Sequence, residues 1–248
     1  MILYEKIYTL DFLIYYRVFK ENDKMKIVEP YIEVEPIDGK QIMKNIEKAC
    51  RTCYRSEGNI TEDSYKKLLT NCITRGHESV LEHEKVTVRI NADIGVYKDL
   101  TRHRIASFSI ESTRYCNYGK DKFDNEIRFI KPCNIEENTE IYKNWYDACK
   151  NIEDNYLKMA ELGATPDQMR MILPHSTAAE IVMTANIREW KHVLELRTTS
   201  HVHPAVRQVM IPLLLYFKEE MPEIFGEIQY DVDFPKGEYA EIQITENE

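Results

Sequence analysis

Val86, Val88 and Ile90 alternate with Thr87 and Arg89, the period of a strand with one buried and one wet face. Ile27 to Val34, Ile127 to Ile130 and Ala178 to Ile187 read as further strands. Between them the apolar spacing lengthens to that of helices. One is expected over about 38 to 54, where Ile42, Met43, Ile46 and Ala49 fall near one face together with Cys50 and Cys53. A second covers about 61 to 75 and stops at Gly76, and a third runs from about 94 to 102. A long helix spans about 138 to 162 and ends at Gly163, and Thr165-Pro166 opens a short one with proline at its first position. Two more are expected near 188 to 199 and 204 to 221, the latter disturbed by Pro212. The stretch from Arg102 to Tyr115 reads as an arginine-rich loop. Strands and helices mix without a βαβ rhythm, so the pattern predicts an α+β fold.

The two ends differ from the middle. Residues 1 to 24 are dense in Tyr, Leu and Ile and close on the polar run Lys20 to Lys24; Met25 is a second candidate start. This segment is read as an extension of unknown role, dispensable for activity. Its apolar part, Leu10 to Phe19, is interrupted by Asp11 and Arg17 and has no cleavage-like site after it. No apolar run in the chain approaches the ~20 residues of a membrane helix, so no membrane partner is expected. Residues 25 to 226 are read as one domain, and 227 to 248 as an acidic, peripheral tail.

Composition narrows the chemistry. With 43% hydrophobic residues over 248 positions, the chain has enough apolar content for a real core and is not disordered. Its 33 Lys and Arg stand against 42 Asp and Glu, a formal charge of -9, which disfavours general nucleic-acid binding. Only 8 glycines occur, and no two lie within ten residues of each other. A GxGxxG fingerprint and a GxxxxGK phosphate loop are therefore absent. A phosphorylated ligand would have to be held by arginines, hydroxyls or a helix N-terminus. The six cysteines are read as free thiols of a cytoplasmic protein. Cys50 and Cys53 form a CxxC, but no second ligand pair at suitable spacing makes it a zinc site.

Against that acidic background, three segments gather the groups that bind anions. Arg102-His103-Arg104 leads through Ile105, Phe108 and Ile110 to Glu111-Ser112-Thr113-Arg114-Tyr115. Guanidinium forks and hydroxyls in one segment suit a phosphorylated small molecule, with a solvated salt-bridge face as the plain alternative. Gly76-His77-Glu78-Ser79 with Glu82-His83 invites a metal reading, but HExxH would need histidine where Leu81 stands. Asn186-Ile187-Arg188 runs on through His192 to Arg197, with Leu194 and Leu196 directed toward a core. Arg170 stands between apolar residues before Leu173-Pro174. Two rival classes remain open on the residues alone. One is single-stranded nucleic-acid binding through Arg102, Arg104, Arg114, Phe108 and Tyr115. The other is a metal-dependent hydrolase built on His77, Glu78 and His83.

Arg102-His103-Arg104, seven residues, then Ser112 resembles the RHRx7S signature of the flavin-dependent thymidylate synthases. The histidine segment at 76 to 83, Arg170 before Leu173-Pro174, Asn186-x-Arg188 and Leu196-Arg197 resemble that family's other segments, in the same order, over about 25 to 225. The resemblance implies a central twisted, mainly antiparallel sheet flanked by helices, in a single domain that assembles as a homotetramer with active sites at subunit interfaces. It implies that dUMP and methylenetetrahydrofolate give dTMP and tetrahydrofolate, with NADPH as reductant acting through FAD. It further implies that His77, Ser79, Arg102, His103, Arg104, Asn186, Ile187, Arg188 and His192 contact FAD. Asp99, Arg102, Ile110, Glu111, Ser112, Thr113, Arg114, Arg170 and Arg197 would contact dUMP, with Arg197 the catalytic arginine. No metal is implied.

Two positions depart from the family's commoner residues: Ile110 stands where Glu or Gln is frequent, and Asp99 where Gln is frequent. Cys116 and Cys133 are the cysteines nearest in sequence that could add to uracil C6. Pro132-Cys133 superficially resembles the Pro-Cys-His of the classical thymidylate synthases, but Asn134 replaces the histidine. The resemblance implies no cysteine nucleophile. Ser112 has no base beside it in sequence and is read as a hydrogen-bond donor.

Overall fold

The computed structural model describes residues 25–119 and 126–245. The expected extension over 1 to 24 lies outside the described residues. The chain begins with β1 (Lys26–Val28) and β2 (Tyr31–Val34), followed by α1 (Gly39–Thr52) and α2 (Ser64–Thr74). A 3-10 turn over Glu78–His83 leads into β3 (Lys85–Asp93), α3 (Ile94–Leu100) and β4 (Ala106–Ile110). Then come β5 (Arg128–Ile130), the long α4 (Glu140–Glu161), α5 (Pro166–Met169) and β6 (Ala178–Asn186). The chain closes with α6 (Ile187–Arg197), α7 (Pro204–Glu220), α8 (Pro222–Phe225) and β7 (Glu241–Ile244).

The main sheet has the order β4-β6-β3-β2-β7; every pairing is antiparallel except the edge pair β2-β7. The mix of helix and sheet is what the pattern predicts, and the mainly antiparallel sheet is what the resemblance implies. On its inner face Ile32, Val34, Val88, Ile90, Ile181 and Met183 are essentially inaccessible and share one core with Trp190, Val209, Leu213 and Phe217. On its outer face Thr87 pairs with Thr184 through their hydroxyls, and Arg89 bridges Glu33 and Glu180. A one-residue slip of β3 would exchange these faces, and each buried aliphatic side chain is worth about 1.5–3 kcal/mol, so the register is strongly specified. A second, smaller core lies under α4, where Met25, Ile127, Phe129, Tyr156 and Met169 meet.

The helix limits have local causes. Asp38, Asp93, Thr139 and Asn186 cap the starts of α1, α3, α4 and α6 by accepting from backbone N–H groups two or three residues into each helix. Gly76 and Gly163 follow α2 and α4 with φ of 71° and 83°, the left-handed conformation that suits glycine. No helix among the described residues is long and apolar enough to cross a membrane.

Four expectations are corrected. The strand expected over 27 to 34 is two strands, parted at Glu29-Pro30 and paired in different sheets, because proline cannot donate to a ladder. The stretch after Arg104 is not all loop: residues 106–110 form the edge strand β4, with Phe108 turned to the core and Ser107 and Ser109 exposed. The stretch after Glu227 is not wholly peripheral, since β7 joins the main sheet beside β2. Leu196 is 48% exposed, whereas Leu194 is inaccessible.

Candidate active site

Three elements converge on the start and end of α6. The turn Glu78–His83 supplies acids to its N-terminal half: Arg188 pairs with Glu82 at 2.6 Å, and Lys191 sits between Glu78 at 3.0 Å and Glu195 at 2.6 Å. Asn186 uses its side-chain oxygen to cap Glu189 N–H at 2.8 Å, leaving its amide N–H groups as the free donors. At the far end of the helix, Arg197 Nε donates to His103 Nε2 at 3.0 Å and Nη2 donates to the Asp99 carbonyl at 2.9 Å. Its Nη1 lies 3.5 Å from the Asp99 carboxylate. His103 also meets the ring of His192 edge-on, at 5.8 Å between centroids.

His103 is buried, while Arg102 and Arg104 on either side of it are exposed. The histidine therefore anchors the loop to α6, and the two flanking guanidiniums face solvent. Burial first, then the Arg197 guanidinium and the neighbouring His192, push the His103 pKa down to about 4, so the ring is neutral at physiological pH.

The segment after β4 is tied down from within. Glu111 accepts from the Tyr118 hydroxyl at 2.9 Å and from Glu180 N–H at 3.3 Å, and faces Arg128 at 3.6 Å. Ser112 accepts from Arg114 N–H at 3.3 Å, and Arg114 pairs with Asp167 at the start of α5. Glu111 is thus the internal strut that shapes the loop carrying Ser112, Thr113 and Arg114. Ile110, 42% exposed, ends β4 beside that loop.

Not every expected residue is placed to touch a ligand. Ile187 is a correction: its side chain is inaccessible in the core and its N–H donates to Glu84 O, so it has no free group to offer. His77 and Ser79 are exposed, but line a cleft of about 500 Å³ with Cys53, Arg75 and Asn71, away from Arg197. Asp99 and Arg102 line a second cleft of about 540 Å³. Asn186, Arg188 and His192 line a third of about 380 Å³, and Ile110, Glu111 and Thr113 a fourth of about 260 Å³. The candidate residues therefore surround several openings of one chain.

The donor set fits anionic ligands. Among the described residues, no carboxylate pairs with the exposed Arg102, Arg104 or Arg170. Unspent guanidiniums on an acidic protein are the groups that phosphates take up in paired hydrogen bonds. A flavin dinucleotide, which carries a pyrophosphate, matches Arg102 and Arg104 with the exposed His77, Ser79 and His192 as further donors. Glu189 is the site residue that motif reading passes over. It follows Asn186-x-Arg188 directly and its carboxylate lies 3.5 Å from His103 Nδ1. The cysteines are all free, and Cys133, half-buried beside Glu238, has its pKa pushed up to about 12 by desolvation and that carboxylate.

Comparison with known proteins gives the family. The family described as thymidylate synthase complementing protein matches residues 38–223. The flavin-dependent thymidylate synthase of Pyrococcus abyssi is 33% identical over 156 residues, 62% of this chain and 63% of that protein. That of Corynebacterium efficiens is 26% identical over 198 residues, 75% of this chain and 79% of that protein. The chain thus spans less than two thirds of the length of the Pyrococcus relative. A UMP/dUMP methylase, PolB from Streptomyces cacaoi, solved with 5-Br dUMP, shares the fold at a TM-score of 0.68 and 21% identity, covering 82% of this chain and 96% of that one. With three quarters of its length matched by one family and the arginine, histidine and asparagine segments in the places described, the chain belongs to the thymidylate synthase complementing protein family.

Proposed function

We propose that the protein is a flavin-dependent thymidylate synthase. It converts dUMP and methylenetetrahydrofolate to dTMP and tetrahydrofolate, with NADPH as the reductant. The observation that carries the reading is the fixed guanidinium of Arg197, held by His103 and by Asp99, which itself lines the cleft of the unpaired Arg102. Relatives named for this reaction support it.

In this reading Arg102, Ser112, Thr113, Arg114 and Arg170 hold the phosphate of dUMP. Arg197 faces the pyrimidine, with Nε and Nη2 already committed to protein acceptors and the Nη1 edge nearest the Asp99 carboxylate. Uracil C5 is a weak nucleophile, and negative charge spreads to N3 and the ring oxygens as it attacks the methylene carbon. A preorganised cation there stabilises that charge by a few kcal/mol (about 2.7–4 for a single donor of this kind). FAD, when bound, carries the reducing equivalents of NADPH to the transferred carbon. Arg102, Arg104, His77, Ser79, Asn186, Arg188 and His192 are the residues that would hold it, whereas His103, expected among them, is buried and bonded to Arg197. Cys133 takes no part, since a thiol kept protonated is a poor nucleophile. Ser112 serves as a donor.

The residues allotted to one flavin line separate openings of the single chain, which supports active sites that combine groups from neighbouring subunits; in this reading the assembly is a homotetramer and acts in the cytoplasm. The purified protein should be yellow, and its bound flavin should make NADPH oxidation respond to dUMP. UMP is the informative competitor, because the structural relative is named for both nucleotides. A colourless protein that takes up no FAD would refute the reading.

A further inference from the structure

We propose that Glu189 is a positioning residue: its carboxylate fixes the proton of His103 on Nδ1, and the imidazole so oriented fixes Arg197. The inference rests on the thymidylate synthase reading only for its effect on turnover. The geometry of the three side chains stands without it.

The proton assignment follows from donor chemistry. Arg197 Nε–H can only donate, so His103 Nε2, 3.0 Å away, must present a lone pair. A neutral imidazole with a lone pair on Nε2 carries its hydrogen on Nδ1. That nitrogen faces Glu189 Oε1 at 3.5 Å, with the side chains of both residues nine-tenths or more buried. Glu189 lies in the first turn of α6, where the helix dipole favours a negative charge, and its own N–H is pinned by Asn186 at 2.8 Å. Arg197 lies eight residues further along the same helix, a rise of roughly 12 Å. The carboxylate and the guanidinium are too far apart to pair directly, and His103 bridges them from the 101–105 loop. A buried carboxylate, a buried neutral ring and a half-buried guanidinium thus stand in one row that ends at Arg197.

The consequence is orientational. With the proton on Nε2, the ring would present N–H to the Arg197 Nε–H, two donors facing each other, and the guanidinium would have to turn. Its remaining bond, to the Asp99 carbonyl, cannot set the plane alone. The arrangement makes His103 an internal support of Arg197, its Nε2 bonded to the guanidinium and its Nδ1 facing the Glu189 carboxylate, and leaves direct ligand contact to Arg102 and Arg104.

The test is nitrogen NMR of 15N-histidine-labelled protein, with the His103 signals assigned from a His103→Gln sample. This readout needs no substrate. The wild-type protein should show a proton-bearing Nδ1 and a bare Nε2. Glu189→Gln, which keeps the size but offers either an acceptor or a donor to Nδ1, should mix the two tautomers. It should also lower kcat while leaving dUMP affinity near wild type. A wild-type proton on Nε2 would overturn the proposal even if the variant failed to fold. So would a Glu189→Gln enzyme with the wild-type tautomer and wild-type kcat. If the wild-type protein forms no dTMP at all, the reaction reading fails and the tautomer result still decides the role of Glu189 toward Arg197.

Discussion

The backbone N–H of Ala240 donates to the carbonyl of Gln208 at 2.9 Å, four residues before Pro212 in α7. Proline has no N–H to give that carbonyl its helical partner, and Gln208 is buried where water cannot supply one. The C-terminal segment therefore repairs the helix as it enters β7. A buried carbonyl left bare costs about 1–3 kcal/mol. Deleting residues 239–248 should lower the urea midpoint, and should cost about 1 kcal/mol less in a Pro212→Ala background, where the helix regains its own donor. Additive effects in that cycle would show that the segment acts only through β7.

Arg197→Lys should lose about 100-fold or more in turnover while the protein retains its flavin. An ammonium cannot bond His103 Nε2 and the Asp99 carbonyl in one plane and still face a third group. Bound flavin from the visible spectrum and single-turnover product formation separate the two properties.

His103 gives stability a definite pH dependence. Its folded pKa, about 4, lies below the ordinary histidine value because burial and the neighbouring Arg197 and His192 disfavour its charge, with Asp99 opposing them. Between these values the unfolded chain binds more protons, so this stability is complete above about pH 6.5 and is lost as pH falls toward 4. His103→Gln, whose amide oxygen can still accept from Arg197, should flatten the fall in unfolding free energy between pH 7 and 5 by about one proton. An unchanged slope would mean that the imidazole is already charged in the folded protein.

Arg102→Ala and Arg170→Ala should weaken dUMP binding with unfolding free energies within about 0.5 kcal/mol of wild type, since neither side chain has an ionic partner among the described residues. Calorimetric titration and denaturant melts on the same samples check both halves of this prediction.

Cys133→Ser should keep near wild-type turnover. Its thiol is held protonated by burial and by Glu238, which a nucleophile for uracil C6 could not tolerate. Loss of activity in a folded Cys133→Ser protein would reopen the cysteine route.

Much of the fold was legible because its signals are local. The glycines after α2 and α4, the proline that opens α5 and the alternation in β3 each act within a few residues. The misses are edge strands and long-range pairings. In β4, Ala106, Phe108 and Ile110 do alternate with Ser107 and Ser109, but the flanking arginines and hydroxyls read as loop, and no position of this edge strand is fully buried. Likewise β7 is short and mostly exposed, and its partner lies two hundred residues upstream. For the site, the spacing of Arg102, Ser112, Asn186 and Arg197 singles out segments of the sequence. It says nothing of which charges are already spent. Arg188 on Glu82, Arg114 on Asp167 and Glu111 on Tyr118 are contacts made by folding: a ligand taken up by Arg188 or Arg114 has to compete with a carboxylate, whereas Arg102, Arg104 and Arg170 have no such partner among the described residues.

The most direct measurement is chromatographic quantification of dTMP formed by the purified protein from dUMP, methylenetetrahydrofolate, NADPH and FAD, with Arg197→Lys run beside it. The account predicts dTMP that depends on every component and nearly vanishes in the variant. Absence of dTMP from a folded, flavin-loaded wild-type protein would contradict it.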